Sequence, residues 1–359
     1  MLIQLALMGV LAALLPLTIV WVSSDADKYR KLVWVTLFLT FDLILFGAFT
    51  RLTDSGLGCP DWPGCYGQAN PLQAHANISA AETAMPTGPV TVMKAWIEMI
   101  HRYLAMGIGV LIVALMIISW RRWLQSGHTE AKFSPVFPTL LFAFVCLQGA
   151  FGAWTVTMKL QPVIVTIHLL LGITLLALLT WFGARQSDYP PASPSASALR
   201  MPATLAGVLL AIQIALGGWV STNYAALACT DFPLCNGMLW PPMDFANGFT
   251  LWRDLGMTAK GEYLPFQALT AIHWAHRAFA FVVTVLVARV AISALKIDDL
   301  RKIARWLLIM IALQFAIGIA TVFLQLPLAL AVLHNGGAAT LVFLLVMLNY
   351  KTRITGKAT

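Results

Sequence analysis

The chain has 359 residues, of which 59% are hydrophobic and 11% charged, and its mean hydropathy is +0.80. Apolar side chains at that density would have to cover the surface of a water-soluble domain, so the composition excludes one and points to an all-α integral membrane protein. The net charge of +8 gathers in alternate connections, which reflects topology and anionic lipid headgroups and does not imply a nucleic-acid partner.

Apolar runs of about 20 residues suffice to cross about 30 Å of hydrocarbon. Such runs lie at 2–22, 32–50, 96–120, 133–155, 163–182, 203–220, 268–295, 306–324 and 328–350. Backbone groups inside lipid must be satisfied within their own segment, so each run is expected to be a helix. The first run reads either as a cleaved signal or as an anchor. It has no basic n-region and no A-x-A site, and it is longer than an h-region. Cleavage would also leave Lys28, Arg30 and Lys31 outside, against the charge rule, so the anchor is the expectation.

Basic residues recur at Arg121, Arg122 and Lys132, at Arg185 and Arg200, at Lys296, Arg301, Lys302 and Arg305, and at Lys351, Arg353 and Lys357. These segments are expected to face the cytoplasm of a bacterial inner membrane, and the intervening loops to face outward.

The chain repeats itself. GAFTRLTDSGLGCPDWPGCYG at 47–67 returns without a gap as GGWVSTNYAALACTDFPLCNG at 217–237. EMIHRYLA around His101 is answered by WAHRAFA around His276, LQGAFGAWTV by LQFAIGIATV, and TIHLLLG around His168 by VLHNGGA around His334. A repeat of this length decides architecture before local pattern does. With the first helix set aside, four spans remain in each copy, and both copies start on the same side. The expected fold is therefore two tandem four-helix transmembrane bundles related by a parallel internal repeat, plus one extra N-terminal transmembrane helix. The segments are 1–31 (extra helix and basic loop), 32–185 (first bundle), 186–202 (the Pro- and Ser-rich linker), 203–350 (second bundle) and 351–359 (tail).

Counted from the loop ends of their helices, His101, His168, His276 and His334 fall at one depth, near the outer leaflet. A lone histidine in a membrane helix is as readily a packing residue, but four in matched pairs favour another reading. Two facing imidazoles in an apolar bundle are what a bis-histidine haem requires. Arg102 and Arg277, each next to its histidine, either pair with haem propionates or snorkel to the headgroups. Glu98 lies three residues before His101 on the same helical face, where the second copy has His273. An acid within a span is a functional candidate, and this difference marks the first copy as the reactive one. His273 reads as a supporting or packing residue and competes with His276 as a ligand.

Taken together, the paired C-x-D-x-P-x-C loops, E-x-x-H-R, the second H-R and the two later histidines resemble the haem A synthase family over about 32–350. The resemblance implies oxidation of the C8 methyl of haem O to a formyl group, the last step in making haem A for terminal oxidases. It further implies a haem b cofactor, with its iron, at His276 and His334. Haem O as substrate would lie at Glu98, His101 and His168. Partners implied are a haem O synthase, terminal-oxidase assembly factors, membrane lipid and a second copy of the chain.

Cys59 with Cys65 and Cys229 with Cys235 sit in outward loops that favour disulfides. They are either staples or, for the first pair, a redox relay or substrate contact. Two other classes stay open: a di-haem cytochrome exchanging electrons with quinone without modifying haem, and a transporter working by rocking repeats.

Overall fold

The computed structural model describes residues 1–354 and is helical apart from isolated bridges. Among the described residues nine helices are long and apolar enough to cross a membrane. They are α1 (Leu2–Val22), α2 (Lys28–Leu52), α4 (Val92–Gln125), α5 (Val136–Thr157), α6 (Pro162–Arg185), α8 (Arg200–Thr222), α10 (Phe266–Leu295), α11 (Asp298–Phe323) and α12 (Leu328–Lys351). Short helices α3 (His75–Ala84), α7 (Pro194–Ala198) and α9 (Phe245–Gly248) lie between them. The chain is thus an all-α, multi-pass membrane protein. The tail expected at 351–359, with Lys357, extends beyond the described residues.

Helix starts follow local chemistry more than hydropathy. α2 begins at Lys28, earlier than its apolar run, because the Asp27 carboxylate accepts the Arg30 N–H at 3.0 Å and so caps the first turn. Burial works to raise the Asp27 carboxyl, but the Arg30 amide and the Lys132 ammonium outweigh it and hold it below its ordinary range. α4 starts at Val92 because Thr91 Oγ1 accepts from the Lys94 N–H at 3.2 Å. At 34 residues and about 1.5 Å per residue, α4 outreaches the hydrocarbon layer at its ends. α6 opens on Pro162 itself, while α10 and α12 open just after Pro265 and Pro327, where a missing N–H costs nothing.

The chain forms two compact units: Met1–Leu160 with Thr174–Ser187, and Gln161–Ile173 with the chain from Asp188 onward. α6 therefore contributes residues to both.

In the first unit α4 is the central helix, packed against α1, α2, α3 and α5. α1 approaches it at backbone distance. A Cβ on Gly9 would lie 2.9 Å from Met106 Cβ, and one on Gly107 would lie 3.0 Å from Ala12 Cβ. Small residues that let membrane helices touch are the usual basis of such contacts. At the basic end, Tyr29 bonds Ser119 and meets the rings of Phe133 and Phe182 at 5.3 and 6.1 Å.

In the second unit α10 packs between α8 and α11, and α12 packs on α8 and α11. Asn349 ties two helices by donating to Ala203 O at 2.9 Å. The loop before α10 is anchored by Arg253, which is 3% exposed. Its guanidinium donates to Asn223 and to Met257 O and covers the Trp219 ring. Burial pushes the pKa of Arg253 down from its ordinary value.

Candidate functional site

The cysteine loops share a construction down to single hydrogen bonds. Cys59 and Cys65 form one disulfide, Cys229 and Cys235 the other, and all four residues are buried. In the first loop the Asp61 carboxylate accepts from the amides of Tyr66 and Gly67 at 2.6 and 2.7 Å. In the second, Asp231 accepts from those of Asn236 and Gly237. The left-handed backbone positions correspond as well: Asp54 with Tyr224 (φ 51° and 55°), Tyr66 with Asn236 (50° and 55°) and Gly67 with Gly237 (70° and 79°). The aspartates of the motif thus serve the turn.

Each loop is pinned to the following long helix by one side chain at the same register. Glu98, 4% exposed, accepts the Cys59 N–H through Oε2 at 2.8 Å. His273, also 4% exposed, accepts the Cys229 N–H through Nδ1 at 3.2 Å. The structure therefore gives the Glu98/His273 substitution a physical meaning: the loop amide needs an acceptor, and either residue supplies one. Because His273 spends Nδ1 on this amide, it belongs to the loop.

The arginines differ between the units. Arg102 uses both terminal nitrogens locally: Nη2 pairs with Glu98, and Nη1 donates to Asp61 O at 3.0 Å, Pro63 O at 3.3 Å and Gly64 O. Arg277 donates Nη2 to Leu234 O at 2.9 Å and lies over the Phe232 ring at 5.2 Å. Its Nη1 is buried without a hydrogen-bond partner.

His101, His276 and His334 each face a glycine. An added Cβ would come within 3.1 Å of His101 Nε2 at Gly47, 3.0 Å of His276 Cε1 at Gly217, and 3.2 Å of His334 Cε1 at Gly318. Each ring therefore lies against bare backbone of the neighbouring helix, where an added Cβ would crowd it. Phe46 stacks on His101 with ring centroids 6.2 Å apart.

In the second unit, Gln213 Nε2 lies 3.0 Å from His276 Nδ1 and donates to His276 O at 3.1 Å, while Gln314 Nε2 donates to His334 O at 2.9 Å. Gln314 lies in the repeated LQFAIGIATV, but neither glutamine stands out in the sequence as a histidine partner. Their signal was a single amide in an otherwise apolar helix. His168 stands in the part of α6 that belongs to the second unit.

Whether a haem suits the second unit can be judged from its polar atoms. His334 Nδ1, Gln213 Oε1, Gln314 Oε1 and Arg277 Nη1 are all buried without partners. Such orphans are rare unless a group completes them. Two imidazoles and one guanidinium nitrogen without a partner fit a haem: ring nitrogens that would hold the iron and a donor for a propionate.

A family model described as COX15-CtaA, cytochrome oxidase assembly protein, matches residues 30–346. The chain is 40% identical to Heme A synthase of Shewanella oneidensis over 326 residues, covering 89% of this chain and 96% of that one. Heme A synthase of Sinorhizobium medicae is 29% identical, covering 85% and 84% respectively. That of Bradyrhizobium diazoefficiens is 27% identical, covering 91% and 92%.

Proposed function

The chain belongs to the COX15-CtaA family of cytochrome oxidase assembly proteins, and from that premise we propose that it is a membrane oxidoreductase converting haem O to haem A by oxidising the C8 methyl group to a formyl group. The stretches 32–185 and 203–350 are the two copies of a parallel tandem repeat, with the cysteine loops on the periplasmic side of the inner membrane. The second unit holds a haem b between His276 and His334. The first takes haem O at His101.

One observation carries this division of roles. Two loops built alike are pinned by a carboxylate in one unit and by a neutral ring in the other. Only Glu98 can take up and release a proton as a carboxylate, so proton handling at the oxidised methyl group is assigned to it. Arg102 and the Cys59 amide hold both of its oxygens in place. A haem held by His276 and His334 would supply one-electron transfer. His276 is oriented for that task by Gln213, and Arg277 Nη1 is the donor for a propionate.

Expression with a haem O synthase in cells that make no haem A tests the reading. Mass analysis of the extracted haems should show the formyl product. Haem O and protohaem alone would reduce the protein to an electron-transfer cytochrome.

The two arginines should separate cleanly. Arg277→Lys, which removes the fork but keeps the charge, should weaken retention of the second-unit haem about tenfold, the worth of a hydrogen bond to a charged group. Arg102→Lys should leave that haem's absorption unchanged. Haem retained per mole of purified protein measures both.

A further inference from the structure

Between Leu205 and Leu216, α8 carries one polar side chain, Gln213. An amide in an apolar span is costly unless it finds partners. Gln213 finds His276. Its Nε2 lies 3.0 Å from Nδ1 and 3.4 Å from Nε2 of the ring and donates to His276 O at 3.1 Å, while its Oε1 is buried without a partner. Gly217 stands four residues further along the same face of α8, and a Cβ there would meet the same ring at 3.0 Å. The glycine leaves space for the imidazole, and the glutamine one turn away reaches its nitrogens.

The first copy of the repeat keeps half of this arrangement. Gly47 lies beside His101 as Gly217 lies beside His276, but the register of Gln213 is held by Leu43, whose side chain has no polar atom. The second histidine of the second unit is also served differently. Gln314 donates to His334 O at 2.9 Å, and its Oε1 is turned onto Gly337, 2.1 Å from where a Cβ would stand. His334 Nδ1 has no hydrogen-bond partner. In the second unit an amide therefore reaches the ring of one histidine and only the backbone of the other.

A histidine that gives Nε2 to iron carries its proton on Nδ1, and an acceptor at that proton makes the imidazole a stronger donor. A stronger donor favours ferric over ferrous iron and so lowers the reduction potential of a haem. Gln213 Oε1 and Nε2 end the same amide, and turning that amide exchanges them. Oε1 then meets the Nδ1 proton, which supplies the partner it lacks.

We propose that Gln213 is a positioning residue that sets the reduction potential of the second-unit haem by accepting the Nδ1 proton of His276. This rests on the reading that a haem b is held by His276 and His334. Such a residue belongs where electrons are transferred, and the copy assigned to the substrate has leucine in its place.

Spectroscopic redox titration of the full-length protein, purified from cells that make protohaem but no haem O, tests this. Gln213→Met keeps the length of the side chain and removes both polar atoms. It should raise the midpoint potential of the second-unit haem by about 59 mV, a tenfold change in a one-electron equilibrium. Gln213→Glu keeps an acceptor oxygen at the same reach and should hold the wild-type potential or fall below it. Gln314→Met removes a bond to backbone and should move the potential less than Gln213→Met does. An unchanged potential in Gln213→Met with haem retained would overturn the proposal. Equal rises in Gln213→Met and Gln213→Glu would overturn it too, since lost packing would then account for both. If Gln213→Met holds no haem, Gln213→Glu decides alone: a potential above that of the wild type overturns the proposal, and one at or below it supports the acceptor role. Haem absorption that survives both His276→Ala and His334→Ala would instead refute the haem b assignment itself, a failure that the glutamine variants cannot mimic.

Discussion

Glu98→His should give a folded protein that keeps its second-unit haem and makes no haem A. The second unit shows why the fold survives. His273 accepts the Cys229 amide where Glu98 accepts that of Cys59, and it sits near an arginine in the same register. Histidine is therefore a substitution this frame already accommodates. Alanine would be a poor probe, because it leaves the Cys59 N–H and the Arg102 guanidinium without their acceptor, and stripping one member from a buried pair costs about 3–5 kcal/mol.

Glu98→Gln supplies the complementary control, since its amide oxygen can still accept from Cys59 while the proton-transfer group is gone. Loss of a positioned acid or base typically costs about 10²–10⁴ in rate. Haem A formed per mole of protein should thus fall at least a hundredfold in both variants, with the absorption of the second-unit haem unchanged. If Glu98→His retains half of the wild-type conversion, the carboxylate only braces the loop and the proton role is lost.

Spans and loops were legible in the residues because each leaves a local mark. An apolar run reports a helix, a repeated C-x-D-x-P-x-C reports a repeated turn, and Asp61 and Asp231 do cap those turns as their spacing suggests. Helix starts were less legible, since α2 is set by the Asp27 cap and not by the first apolar residue. The arginines were legible in position only. Hydropathy cannot tell a guanidinium spent on loop carbonyls, as in Arg102, from one with a free nitrogen, as in Arg277. The division of α6 between two units escaped entirely, because spans that are apolar on every side carry no stripe to report which neighbour they meet. The glycines facing the imidazoles had a sequence trace, Gly47 matching Gly217, but their purpose shows only once the rings are seen against them.

Those glycines provide the second large effect. His276→Ala and His334→Ala should each reduce haem retained in the second unit at least tenfold, since the haem would lose one of the two side chains proposed to hold it. Gly217→Val and Gly318→Val should do the same without altering any ligand. A single Cβ would already stand 3.0 Å from His276 Cε1 and 3.2 Å from His334 Cε1, and two further methyl carbons cannot enter a close-packed contact without turning the ring. Alanine at these positions should give an intermediate loss, because a few tenths of an ångström of ring movement accommodates one methyl.

Histidine substitution alone does not separate ligation from packing, so rescue decides the matter. Imidazole added to His334→Ala can occupy the vacated volume and should restore haem retention and the low-spin absorption of the wild type. It should restore nothing in Gly318→Val, where the protein's own ring is present but displaced. Failure of imidazole to rescue His334→Ala, together with full haem retention in Gly318→Val, would assign His334 to packing and remove the bis-histidine site from the second unit.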